Sequence, residues 1–190
     1  MTEYANKLLA LDPSSSAIGY AVMRGPDTMI EAGVMRPDKA TAKFAMRRIS
    51  DLVDQVHDVI GRHFPWTIVV EMPGRQASKG KGKSAGASLM IYAWACGAVW
   101  QVCRTYALHA NEEAYTSPSF SSTPPCTVVE AYSNVWSTER KEKRQLLVID
   151  RFPRYGCDED PGMDCSDAIN LGWWWYDQQR TAAMIDEAGR

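Results

Sequence analysis

Histidine and cysteine are scarce in this chain, and their spacing removes several kinds of chemistry. There are 3 histidines and 5 cysteines in 190 residues. Cys96, Cys103, Cys126, Cys157 and Cys165 are odd in number, and none pairs at zinc-ligand spacing with a matching histidine pair. A disulfide framework and a zinc site are therefore not expected. His57, His63 and His109 fall in a helix, at its end and at the start of a polar stretch, so no Ser-His-Asp or Cys-His constellation is expected either. A phosphate-binding P-loop is missing: Gly80-Lys81-Gly82-Lys83-Ser84 lacks the first glycine at its spacing. Residues Met1 to Lys7 hold no apolar signal region, which points to a reduced, cytosolic compartment. The net charge of -2 supplies no overall basic field, although a carboxylate cluster can mask local basic patches.

What is present is apolar content of 45%, enough for one sizeable core and short for two ordinary domains. The expectation is one domain over 1–190. Between Ser84 and Cys103 no residue is charged, a length that could span a bilayer. Its alanine, glycine and serine content, with Gln101, reads instead as a buried or interface helix. No membrane association is expected.

The chain is organised around Leu8-Leu9-Ala10-Leu11-Asp12-Pro13, a buried strand that emerges from the core at a carboxylate. Pro13 and the serines after it supply turn chemistry, and the chain returns through Ile18 to Met23. Taken alone, Asp12 could simply cap its own turn. A third strand over about 28–35 completes an antiparallel meander. A helix is expected from about Asp38 to His63, with Phe44, Ile49, Leu52, Val53, Val56, Val59 and Ile60 on its apolar face and Asp51, Asp54 and Asp58 on a solvated one.

Thr67 to Glu71 is a β-branched run of the kind found in strands buried on both faces, and it also ends in a carboxylate. Glu71 is either a solvent-facing strand end or a second acid beside Asp12. The glycine-rich stretch 74–84 carries Arg75, Lys79, Lys81 and Lys83, cations suited to a polyanion backbone, although such a loop can serve solubility alone. A helix over about 85–106 follows, either core or a homodimer contact. Residues 109–126 read as a long irregular insertion. Thr127 to Tyr132 is the fifth strand. A charged run, Glu139 to Arg144, leads into a short helix over Gln145 to Phe152. Asp164 has N-cap character at the start of a last helix, and Asp167, three residues on, shares its face.

Four carboxylates, Asp12, Glu71, Asp164 and Asp167, thus come from two strand ends and one helix start. Crowded acids raise one another's pKa and call for a cation. Oxygen-only ligands suit Mg²⁺ or Mn²⁺, and two such ions can clamp a phosphodiester.

The order of these elements resembles the RuvC family of Holliday junction resolvases, within the retroviral-integrase and RNase H-like superfamily. The matching pieces are Leu11-Asp12-Pro13-Ser14 with Gly19-Tyr20, Ile68 to Glu71, the helix around Ala95-Cys96-Gly97, and Asp164-Cys165-Ser166-Asp167-Ala168. The resemblance implies an α/β RNase H-like fold: a five-stranded mixed sheet, three strands antiparallel and the rest parallel, flanked by helices. It implies that Asp12, Glu71, Asp164 and Asp167 are metal-binding catalytic acids, holding Mg²⁺, or Mn²⁺ in its place, as two ions. Lys143 resembles the family's basic residue at the scissile phosphate, with Lys141 and Arg144 close by. Arg75, Lys79, Lys81, Lys83, Arg140, Lys141 and Arg144 are then expected on DNA. A second lysine of the family is replaced here by Trp136 and Ser137, and the loop after Glu71 lacks the family's aromatic. These departures look like a phage or mobile-element relative acting in a host cytoplasm.

The expected activity is a homodimeric, structure-selective DNA endonuclease that resolves four-way junctions by paired nicks. Alternatives are a broader branched-DNA or flap nuclease, an RNA-DNA hybrid nuclease, or a non-catalytic nucleic-acid-binding module, against which the four intact acids speak. An actin-like ATPase would need a second phosphate-gripping hairpin with an Asp-x-Gly pattern, which is missing.

Overall fold

The computed structural model describes residues 6–74, 83–116, 124–132, 141–155 and 163–189, with side chains of the second helix described from residue 88. The strands are β1 (Leu8–Pro13), β2 (Ile18–Met23), β3 (Met29–Met35), β4 (Thr67–Met72) and β5 (Thr127–Tyr132). The helices are α1 (Ala45–His63), α2 (Lys83–Thr116), α3 (Lys141–Arg151) and α4 (Asp164–Ala188), with a 3-10 turn at Pro153–Tyr155. The sheet order is β3-β2-β1-β4-β5. β1 to β3 form the antiparallel meander, and β4 joins β1, and β5 joins β4, in parallel. This is the mixed sheet expected from the sequence.

Strand alternation divides the core between two faces. Leu9, Leu11, Ile18, Val22, Ile68 and Val70 meet α1 and α2 on one side. Leu8, Ala10, Ala21, Met23 and Val69 meet α3 and α4 on the other. Small residues keep that second face shallow, so α4 lies close to the sheet. Asp12 continues the parity of Leu8 and Ala10, and Glu71 continues that of Val69. Both acids therefore project on the α4 side.

Three boundaries differ from the sequence reading. α1 begins at Ala45, because residues 38–44 form turns held from within the helix: Asp51 Oδ2 accepts from the Asp38 N–H at 2.5 Å and from Thr41 Oγ1 at 3.0 Å. Asp51 is thus tied to this turn and is not simply a solvated residue. α2 runs through Thr116, so residues 109–116 of the expected insertion are helix; 117–123 lie outside the described residues. α3 starts at Lys141, inside the charged run. No helix among the described residues is long and apolar enough to cross a membrane.

Candidate active site

Parallel pairing sets the first two acids side by side. Leu11 is opposite Val70, so the next residues along each strand are Asp12 and Glu71. Asp12 does not cap its own turn. Ser14 does: its Oγ donates to the Ala17 carbonyl at 2.8 Å and accepts from the Ser16 and Ala17 amides at 3.2 and 3.0 Å. Glu71 is buried and is not a solvent-facing strand end.

The third and fourth acids arrive on α4. Met163, with φ of 58°, sits in the N-cap position, so Asp164 is the first helical residue and not the cap. The helix lands on Gly19, the cross-strand partner of Asp12. There the Asp164 carbonyl occupies the space that a side chain on residue 19 would need. Asp167 follows one turn later and is buried.

The electrostatics record this convergence. Asp12 keeps some surface open but is closely surrounded. Desolvation first, then the charge of Glu71 and a hydrogen bond with it, then Asp167 and Asp164, push its carboxyl well above the ordinary range. Burial also raises Glu71, against the lowering effects of the Asp12 hydrogen bond, Arg144 and Lys141. A hydrogen bond between two carboxyl groups holds a proton, so the pair shares one.

Asp167 is answered by two cations from α3. Arg144 Nε and Nη2 both donate to Asp167 Oδ1, at 2.9 and 2.7 Å. Lys141 Nζ lies 3.0 Å from Asp167 Oδ2. Burial opposes the charge on Lys141, but Asp167, with Asp12 and Asp164 beyond it, outweighs this and its pKa is raised.

The basic residues expected from the sequence are thus redistributed. Lys141 and Arg144, three apart on α3, face the acids together. Lys143, two steps from Lys141, is exposed and on another side of the helix. Arg144 is buried against Asp167 and is not a surface cation awaiting a phosphate. Arg75, Lys79, Lys81 and Arg140 lie outside the described residues, and Lys83 opens α2 with its side chain outside them.

Two side chains escaped the sequence reading. Tyr92 and Cys96 are hydrogen-bonded to each other one turn apart on α2 and flank the acids. Burial, then Cys96, Glu71 and Asp12, raise the Tyr92 phenol; burial, with the nearby Glu71 and Asp12 charges, pushes the Cys96 thiol up to about 12. Their spacing of four was the available signal, hidden in an uncharged stretch where nothing marked the side facing the acids.

The donor chemistry of Asp12, Glu71 and Asp164 fits a hard divalent ion. Among the described residues no three His, Cys, Asp or Glu side chains already form a group ready to hold a metal. Asp167 is engaged by Arg144 and Lys141 instead. Ion entry would displace the proton shared by Asp12 and Glu71.

No family model and no curated protein matches the sequence. Solved structures do. RuvC of Thermus thermophilus in complex with a Holliday junction substrate is similar at a TM-score of 0.62 and 16% identity, over 93% of this chain and 96% of that one. A second T. thermophilus RuvC structure gives 0.57 and 16%, with the same coverage of 93% and 96%. The yeast mitochondrial Holliday junction resolvase Ydc2 gives 0.53 and 14%, over 97% of this chain and 85% of that one. These likenesses establish the RNase H-like fold of RuvC.

Proposed function

We propose that this chain is a divalent-metal-dependent DNA endonuclease that resolves four-way junctions by paired nicks, as a homodimer. One observation carries the reading. Acids from β1, β4 and α4 meet at one end of the sheet, where burial and the neighbouring carboxylates raise Asp12 and burial raises Glu71, with Lys141 set beside them. The fold shared with RuvC, over nearly the whole length of both chains, supports it.

Asp12, Glu71 and Asp164 would hold Mg²⁺ or Mn²⁺. Bound there, the ion supplies Lewis-acid polarisation of a phosphodiester oxygen and an acidified water. Glu71 and Asp12 give up their shared proton. Lys141, half-exposed at the rim, can turn from Asp167 toward a phosphate oxygen and offset charge that develops there. Tyr92 and Cys96 lie beside the acids on the α2 side. Hydrolysis in this way leaves a 5′-phosphate and a 3′-hydroxyl. Arg75, Lys79, Lys81, Lys83, Arg140 and exposed Lys143 are proposed along the DNA backbone.

The outer side of α2 is proposed as the dimer contact. Met90 and Trp94 are 49% and 47% exposed, and a Cβ at Gly97 would meet nothing within 4 Å. Among the described residues, the thiols of Cys96, Cys103 and Cys126 are buried and form no disulfide, which supports a reducing compartment such as the cytoplasm.

The test offers labelled four-way junction, flap, linear duplex and RNA-DNA hybrid with Mg²⁺ or Mn²⁺, beside Asp12→Asn. Symmetric nicks confined to the junction and lost in the variant are expected. Equal cutting of flaps or hybrids would move the function to general branched-nucleic-acid processing. Binding without cutting would favour a binding module.

A further inference from the structure

Position 144 lies on the buried side of α3, one turn before Val148. The chain places an arginine there, 6% exposed. A guanidinium keeps its charge at any working pH, and burying it is costly unless a carboxylate meets it. Asp167 is that carboxylate, and both Arg144 donors converge on its Oδ1.

The two cations on Asp167 differ in mobility. The Lys141 side chain is 47% exposed, so it can leave for a phosphate. The Arg144 side chain is 8% exposed, and moving it would strand a buried charge. Asp167 therefore keeps a positive partner while DNA is bound.

We propose that Arg144 is a built-in cation that holds Asp167 out of the metal set, so that the centre takes one Mg²⁺ or Mn²⁺ on Asp12, Glu71 and Asp164, not two. This rests on the metal-dependent reading above and replaces the expectation of two ions. Arg144 acts here through Asp167 as a positioning residue. The fixed charge stands where a second ion would otherwise be required.

The test counts Mn²⁺ bound per chain by the full-length protein stripped with chelator, using the paramagnetic resonance signal of free Mn²⁺. One ion per chain is expected. Asp167→Asn should keep one, since Asp167 is not a ligand. Arg144→Lys should keep one, and Arg144→Gln should raise the count to two. Circular dichroism checks each fold, and if Arg144→Gln fails to fold, the wild-type and Asp167→Asn counts decide. Two ions in the wild type, loss of the ion in Asp167→Asn, or a folded Arg144→Gln still at one would overturn the inference and leave the nuclease reading standing. No ion in the wild type would overturn both.

Discussion

A Cβ atom on residue 19 would lie 1.9 Å from the carbonyl oxygen of Asp164. The obstacle is backbone, so no side-chain rotation relieves it. Gly19 is thus where the first turn of α4 rests on the sheet, directly across from Asp12. Gly19→Ala must lift that turn and carry Asp164 away from Asp12. Overpacking of this kind costs about 1–3 kcal/mol. Urea unfolding should show that loss, together with weaker Mn²⁺ binding. Gly61→Ala, on α1 with nothing within 4 Å of its Cβ, should instead gain about 0.5–1 kcal/mol. Wild-type stability and Mn²⁺ affinity in Gly19→Ala would show that the close approach is not required.

The fold was legible where local pattern decides structure. An apolar run ending in Asp12, a β-branched run ending in Glu71, and the Asp164/Asp167 spacing located the acids before any coordinates. Long-range contacts hid the rest. Residues 109–116 look like loop by composition, yet Asn111 sits on α2 and clamps the chain entering β5. Its Nδ2 donates to the Cys126 carbonyl at 3.0 Å and its Oδ1 accepts from the Cys126 amide at 2.9 Å. The pairing of Lys141 with Arg144 was hidden for a related reason. A helix begun at Gln145 leaves Lys141 and Arg144 unrelated, whereas one begun at Lys141 puts them on one side. A buried arginine inside a charged run carries no local mark at all.

The pH dependence of the metal-free protein follows from Asp12. Its carboxyl is raised well above the ordinary 3.8 in the folded state, so the fold binds this proton more tightly than the unfolded chain does. The favourable contribution is complete below the ordinary value and is lost as pH rises through the raised one. In chelator, wild type should therefore lose stability relative to Asp12→Asn as pH increases from about 4. Asparagine can still donate to Glu71 but has no charge to desolvate. Adding Mn²⁺ should reverse the order at pH 8, and Mn²⁺ affinity should climb with pH as the shared proton is displaced. Parallel stability curves for the two proteins in chelator would remove Asp12 from this coupling.

The outer side of α2 makes a separate prediction. Trp94 is 47% exposed at the centre of a stripe that runs through Met90 and Gly97. Trp94→Asp should leave stability within about 0.5 kcal/mol of wild type, as an exposed substitution. It should convert the proposed dimer to monomer, because a central tryptophan typically carries about 2 kcal/mol or more of an interface. Sedimentation velocity at micromolar concentration decides. A variant that remains dimeric would place the interface elsewhere.

The basic stretch 74–84 is tested by salt. If Lys79, Lys81 and Lys83 neutralise DNA phosphates, each contact releases condensed counterions, and each adds about 0.9 to the slope of log affinity against log salt on duplex arms. Replacing all three with alanine should weaken junction binding most at low salt and flatten that slope by about 2.7 if every contact is made. Arg75→Ala added to this set should flatten it further by about 0.9. The intrinsic cleavage step at saturating junction should change little, because the acids, Lys141 and Arg144 remain in place. An unchanged affinity and slope would make the basic stretch 74–84 a solubilising segment and remove it from DNA binding.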